Sequence, residues 1–292
     1  YRGEFEERIK KLMKEKKEEG NILLFVRDDG STDNTKQIIV SWKQRINISV
    51  IEDGISLGAA KSFWKLLLNA PKAKYYAFMD QDDIWDKNKL SVAVEALKEH
   101  KEKAVWFSNC RLINSVDQVI TESMNKEPPI LTVPSQLVCG IAQGCAMVFN
   151  YELLDYCRRK EMECVPMHDT VILSYALAAG TVIYEEIPYF SYRVHENNVV
   201  AKEGKNILGK LQSTYKLWFG KEGIYSVSKF ARQILEDNQE TLSADVKEYL
   251  EQLSSCRKSI SKRFKVVFNP LTETRNKRGL RSFKIRSLLG VI

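Results

Sequence analysis

Histidine and proline are scarce in this chain, at three and seven of 292 residues. The six cysteines, at 110, 139, 145, 157, 164 and 256, form no C-x-x-C pair and have no histidine cluster beside them. A structural zinc site and a disulfide scaffold are therefore excluded, and the thiols read as buried or idle in a reducing compartment. No stretch approaches the roughly 18 unbroken apolar residues of a membrane-spanning helix. Tyr1 to Gly20 is charged throughout and holds no apolar h-region, so a signal peptide is not predicted and a cytoplasmic address is. Internal repeats and low-complexity tracts are lacking as well.

What is present suits a folded α/β protein. Apolar residues make up 44% of the chain and charged residues 28%, enough to bury a core under a solvated surface. The net charge of +7 is uneven: from Cys256 onward eleven Lys/Arg face Glu273 alone, a net +10, which leaves −3 for the rest. This basic stretch alternates with Phe264, Val266, Val267, Phe268, Phe283, Ile285, Leu288 and Leu289. It fits either an anionic membrane surface or a solvated helical face.

Residues 4–19 carry a helical apolar stripe, stopped at Gly20-Asn21. Strand-length apolar runs follow at 22–26, 48–51, 75–79 and 104–107, with helical patterns at 34–45, 59–69 and 87–99 between them. The alternation predicts a mostly parallel central sheet with helices on both faces. Residues 111–121 read as a hairpin, 151–160 and 169–179 as helices, 181–194 as extended, and the chain from 207 on as helical.

In such sheets ligands bind outside the carboxyl ends of the strands. Three strand ends carry acidic clusters there: Asp28-Asp29-Gly30-Ser31, Glu52-Asp53-Gly54 and Asp80-Gln81-Asp82-Asp83. Crowded carboxylates call for a cation or a hydrogen-bond donor. Carboxylates at i and i+2 of a strand end share a direction, so Asp80 and Asp82 suit a magnesium or manganese ion on a diphosphate. A calcium loop fails, because its glycine and glutamate positions would be Trp85 and Ser91. The plainer alternatives are that Asp80 or Asp82 caps the next helix, and that Asp28-Asp29-Gly30 is a turn. Gly58 to Lys61 opens a helix whose N-terminus, with Lys61, could receive phosphate, or else is a glycine turn beside an exposed lysine.

Taken in order, Val26 to Thr35, Phe78 to Leu90, Gln143 to Phe149, Met167-His168-Asp169 and Tyr192 to Asn198 resemble the motif series of family-2 glycosyltransferases of the GT-A fold, in particular the bacterial rhamnosyltransferase-like branch. The resemblance implies a nucleotide-sugar-binding half over 1–100 and an acceptor-binding half over 101–200; beyond the matched motifs, 201–292 reads from its own pattern as a helical, basic extension. It implies that Asp28 and Asp29 bind the nucleotide, with Asp80 beside them; Lys61 joins this set from the helix-start reading alone. Asp82 and His195 would hold Mn2+ or Mg2+, and Asp169 would be the catalytic base, with His168 its rival on pKa grounds. Trp85, Gln143, Gly144 and His168 would line the sugar and acceptor pocket.

The activity implied is inverting transfer of a sugar, L-rhamnose from dTDP-rhamnose, to a saccharide or lipid-linked acceptor in bacterial surface polysaccharide synthesis. A UDP-sugar-dependent galactosyl- or glucosyltransferase and an inactive nucleotide-sugar-binding fragment are the alternatives. A phosphotransfer receiver domain would also cluster aspartates, but offers no role for Asp169 and His195. The partners implied are the donor, the acceptor and a membrane surface met through the basic tail, with no nucleic acid. Tyr1-Arg2-Gly3 resembles the turn that ends the family's first strand, which predicts a gap in the sheet where that strand would lie.

Overall fold

The computed structural model describes residues 22–163, 165–194 and 226–292. The helix expected over 4–19, His195, and the start of the C-terminal helical region lie outside the described residues.

Two short strands, β1 (Leu24–Arg27) and β2 (Ile48–Ile51), pair in parallel around helix α1 (Thr35–Trp42). Helix α2 (Ala59–Asn69) follows β2, and Gly58 enters it at φ 74°, a left-handed conformation that glycine adopts without steric cost. Strands β3 (Tyr75–Ala77) and β4 (Ile84–Trp85), helix α3 (Lys89–Leu97) and strands β5 (Ala104–Ser108), β6 (Arg111–Ile113) and β7 (Val119–Thr121) come next. Helix α4 (Val133–Val138), strand β8 (Met147–Asn150), helices α5 (Tyr151–Arg158) and α6 (His168–Ala179), and strands β9 (Thr181–Glu185) and β10 (Phe190–Arg193) complete this part.

The strands form one ladder in the order β3-β8-β5-β9 and another in the order β4-β10-β6-β7. The α/β class and most element positions match the expectation, but the pairing is mixed. Parallel β5–β9 and β6–β10 stand beside antiparallel β3–β8, β5–β8, β4–β10 and β6–β7. Apolar runs report burial and not direction, so pattern alone cannot show that β8 enters the sheet reversed. Among the described residues β1–β2 and β3-β8-β5-β9 are separate ladders.

Strand β5 is buried along its whole length and splits its side chains by the two-residue period of a strand. Val105 and Phe107 join the main core with Phe149, Val171 and Tyr175, whereas Ala104 and Trp106 meet Ala93 and Leu97 of α3. Helices therefore cover both faces. Helix α6 is apolar nearly all round and correspondingly central.

Behind it lie α7 (Val227–Asp237), α8 (Ala244–Ser255), α9 (Ile260–Phe268) and α10 (Lys277–Leu289), the helical extension expected. Tyr175 of α6 donates its hydroxyl to the Asp237 carboxylate, and Tyr156 donates to Asn238 at 2.9 Å. No helix among the described residues is long and apolar enough to cross a membrane.

Candidate active site

The sharpest feature lies after β3. Asp80 and Asp83 bring carboxylate oxygens, and Cys145 its sulfur, within 4.8 Å of one another. Burial pushes the Asp80 carboxyl up to about 7, and the negative charges of Asp83, Asp82 and Asp169 add to the rise. Four acidic side chains from two distant segments thus share one electrostatic site. The expected partnering of Asp80 with Asp82 is corrected in its detail. Strand β3 ends at Ala77 and residues 81–82 form a turn, so the strand alternation behind an i, i+2 pair does not apply and Asp83 swings inward.

Asp83 is 3% exposed and accepts the Arg193 N–H at 3.1 Å. The Arg193 guanidinium donates to the Asp82 carbonyl and the Asn114 carbonyl, each at 2.9 Å, and pairs with Asp117 at 2.6 Å. It ties the acidic loop to the β6–β7 hairpin.

Lys89 is fully buried although it opens helix α3. Its ammonium donates to the Cys145 carbonyl and lies 3.6 Å from the centroid of the Trp85 ring. A buried cation beside the carboxylates lessens their mutual repulsion. Half-buried Trp85 keeps its ring N–H buried without a protein acceptor.

The turn Gly144–Ala146 links this cluster to the expected base. The Gly144 N–H donates to Oδ2 of Asp169 at 3.1 Å, and the Thr170 N–H donates to Oδ1 at 2.6 Å. These bonds hold the carboxylate at the first turn of α6, where the helix dipole favours negative charge. Gln143, half-buried just before the turn, reaches the Met124 sulfur at 3.4 Å.

His168 is corrected. It is 4% exposed, stacked on Phe63 at 4.1 Å between ring centroids and edge-on to Phe78 at 4.4 Å. Burial pulls its pKa down to about 4, and both ring nitrogens lack a hydrogen-bond partner. It is a neutral core residue, neither a pocket wall nor an accessible base. The local sequence conceals this, because the aromatic box comes from Phe63 of α2 and from Phe78, just past the end of β3.

Asp29 sits on the β1–β2 side. Its carboxylate accepts Leu57 N–H at 2.7 Å, Gly58 N–H at 2.8 Å and the Ser62 hydroxyl at 2.7 Å, and pairs with Arg27. Burial works against its ionisation, yet the bonds from Leu57, Ser62, Arg27 and Gly58 hold it well below the usual carboxylate range. Of the backbone donors expected to receive phosphate at the start of α2, Gly58 N–H is taken by Asp29, and Lys61 is exposed on the first turn of the helix. Asp28, deeper, accepts Ser31 N–H at 3.1 Å, the local turn bond anticipated as the plainer alternative.

The Arg27 side chain, wholly buried, also pairs with Asp53 at 2.8 Å and donates to Ser62 at 2.7 Å. Neighbouring Ser62 and Phe63 therefore join the Asp29 network to the His168-Asp169 segment. Arg27, Lys89, Cys145 and Arg193 were missed by residue-type reasoning, although all four stand inside the quoted motifs.

Acidic strand ends thus stand with a carboxylate at the head of α6, and comparison with known proteins gives the family of the chain. The family model "Glycosyl transferase family 2" matches residues 3–154. The chain belongs to that family and is a glycosyltransferase. It is 29% identical over 264 residues to the dTDP-rhamnosyl transferase RfbG of Shigella flexneri, covering 82% of this chain and 84% of that one. It is 29% identical over 191 residues to the Escherichia coli UDP-Glc:alpha-D-GlcNAc-diphosphoundecaprenol beta-1,3-glucosyltransferase WfaP, covering 64% and 72%. Among solved structures, S. aureus TarS residues 1–349 in complex with UDP-GlcNAc superposes with a TM-score of 0.57 at 17% identity, covering 99% of this chain and 78% of that one.

Proposed function

We propose that the chain is an inverting, divalent-cation-dependent transferase that moves L-rhamnose from dTDP-rhamnose to a saccharide or lipid-linked acceptor in bacterial surface polysaccharide synthesis. The observation that carries this reading is the shared site of Asp80, Asp82, Asp83 and Asp169, where Asp80 is driven up to about 7 by burial and then by its acidic neighbours. The likeness to RfbG over most of both chains supports the rhamnosyl donor.

The donor set suits a hard cation. Asp80 and Asp83, with Asp82 adjacent and His195 contributed from outside the described residues, would hold Mn2+ or Mg2+. Such an ion supplies charge to offset the leaving nucleoside diphosphate. The Cys145 thiol, raised well above its ordinary value by burial, stays protonated and is a poor ligand for either ion.

Asp169 acts as the base. An acceptor hydroxyl is a weak nucleophile until its proton is taken, and a positioned carboxylate contributes roughly 10²- to 10⁴-fold. The Gly144 and Thr170 amides fix its orientation. Attack from the face opposite the diphosphate inverts the anomeric carbon. Asp29 shapes the nucleotide subsite by fixing the loop Ser56 to Gly58, and Asp28 by fixing the turn at Ser31, while Trp85 and Gln143 border the sugar.

A UDP-glucose donor is the second reading, favoured by the name of the E. coli relative. Purified protein is incubated with dTDP-rhamnose or UDP-glucose, with and without Mn2+, and nucleoside diphosphate release is followed. Release from dTDP-rhamnose that needs Mn2+ and is lost in Asp169→Asn with donor binding retained supports the proposal. Release from UDP-glucose alone, or full activity in EDTA, overturns it.

A further inference from the structure

The C-terminal helices leave a surface that the fold itself does not use. On α9, Ile260, Phe264 and Phe268 recur every fourth residue, and they are 68%, 51% and 76% exposed. The opposite face of the same helix, Val266 and Val267, is buried. Spacing by four places side chains on one helical face, so the three form a continuous apolar ridge. Phe264 and Phe268 stack nearly parallel, their ring centroids 6.3 Å apart.

Helix α10 extends this surface. Ile285, Leu288 and Leu289 are exposed, and Arg263 of α9 donates to the Leu288 carbonyl at 3.2 Å, which docks the end of α10 against the start of α9. Arg257 and Lys258 just before α9, Lys265 on α9 and Arg281 on α10 are exposed as well. Glu273 is the sole acid from Cys256 onward, and it sits in the loop between the two helices.

We propose that the exposed α9–α10 face docks on an anionic phospholipid bilayer, with Ile260, Phe264 and Phe268 entering the headgroup boundary and the exposed Lys and Arg meeting lipid phosphates. A helix with large exposed apolar side chains among cations lies in the membrane interface, and its affinity combines apolar burial with attraction to anionic lipid. A second copy of the chain fits poorly, because a symmetric contact would press two strongly basic faces together. The face also has no use for a phosphodiester backbone, which offers nothing to cover Ile260, Leu288 and Leu289. The inference stands apart from the donor and from Asp169.

The test is flotation of the full chain with vesicles of phosphatidylcholine alone or mixed with phosphatidylglycerol, at low and high salt. Binding is expected only with phosphatidylglycerol present, and it should weaken as salt rises. Phe264→Ser and Phe268→Ser together should lower it about tenfold or more. Melting temperature and donor turnover with a water-soluble acceptor should be unchanged, which separates this outcome from failure of the transferase reading. Equal binding to neutral vesicles, unchanged binding in the double variant, or a wild-type dimer that the double variant dissolves would overturn the proposal.

Discussion

The N–H of Gly144 and the carboxylate of Asp169 meet at 3.1 Å, and a side chain at Gly144 would collide with the residue just before that aspartate. A Cβ there would stand 2.6 Å from Nε2 of His168 and 3.4 Å from Cβ of Asp169. The imidazole cannot retreat, since Phe63 and Phe78 box it in. Gly144→Ala should therefore cost about 1–3 kcal/mol of stability through overpacking. It should also lower turnover more than donor affinity, because the strain falls on Asp169. Thermal melts, together with kcat and donor Kd, check both parts.

His168 makes stability depend on pH. Its folded pKa is near 4 because burial penalises the cation, against 6.5 for an exposed imidazole. Between these values the unfolded chain binds the proton and the folded chain does not, so stability falls as pH drops from about 6.5 towards 4. The full loss from this group is about 3 kcal/mol. His168→Leu removes both orphaned nitrogens and this loss. Because Asp80, raised to about 7, works in the opposite direction over the same range, the check is the difference between the two proteins, and the urea midpoint of His168→Leu should gain on the wild type's as pH drops from about 6.5 to about 4. If the two curves run parallel, His168 is not the group responsible.

Legibility in the sequence followed chemistry more closely than placement. The acidic strand ends stood out because polar residues that abruptly end an apolar strand have few structural uses, whereas Asp169 at the start of α6 stood out only through the resemblance of Met167-His168-Asp169 to a family motif. The orientation of β8 was not legible, since Met147 to Asn150 reads the same in either direction. That Asp83 stands with Asp80 was not legible either, because the turn at 81–82 breaks the strand period. The burial of Lys89 was hidden altogether, because a lysine at a helix start normally points to water and only the fold reveals the Trp85 ring beneath it. Asp29 was singled out by its place at a strand end, but its hydrogen bonds to Leu57 and Gly58 span a sequence separation that no local pattern encodes.

Those bonds give Asp29 a structural duty that any nucleotide-binding assay must take into account. Asp29→Ala frees the Leu57 and Gly58 amides at the head of α2 and leaves the Arg27 guanidinium with one carboxylate fewer. A loss of about 1–2 kcal/mol is expected from the cap alone. Asp29→Asn keeps one acceptor oxygen and should recover part of it. Donor affinity measured by calorimetry below the melting range separates the two roles: a purely structural residue would leave Kd unchanged, whereas a nucleotide contact would weaken it in both variants.

Lys89 provides the severest test of the acidic site's electrostatics. Its buried ammonium lies beside the Cys145 carbonyl and the Trp85 ring, and its charge lowers the pKa of the neighbouring Cys145 thiol against the opposing effects of Asp80 and Asp83. Replacing it with methionine keeps the volume and removes the cation, so repulsion among Asp80, Asp82 and Asp83 is less compensated. Removing one partner from a buried charge group costs about 3–5 kcal/mol. A divalent cation would restore part of that charge, so the rise in melting temperature on adding Mn2+ should be larger in Lys89→Met than in the wild type. If Lys89 merely fills space, methionine should be tolerated and the two Mn2+ shifts should be equal. A smaller shift in the variant would instead mean that the lysine shapes the carboxylates for the ion, and the charge argument would fail.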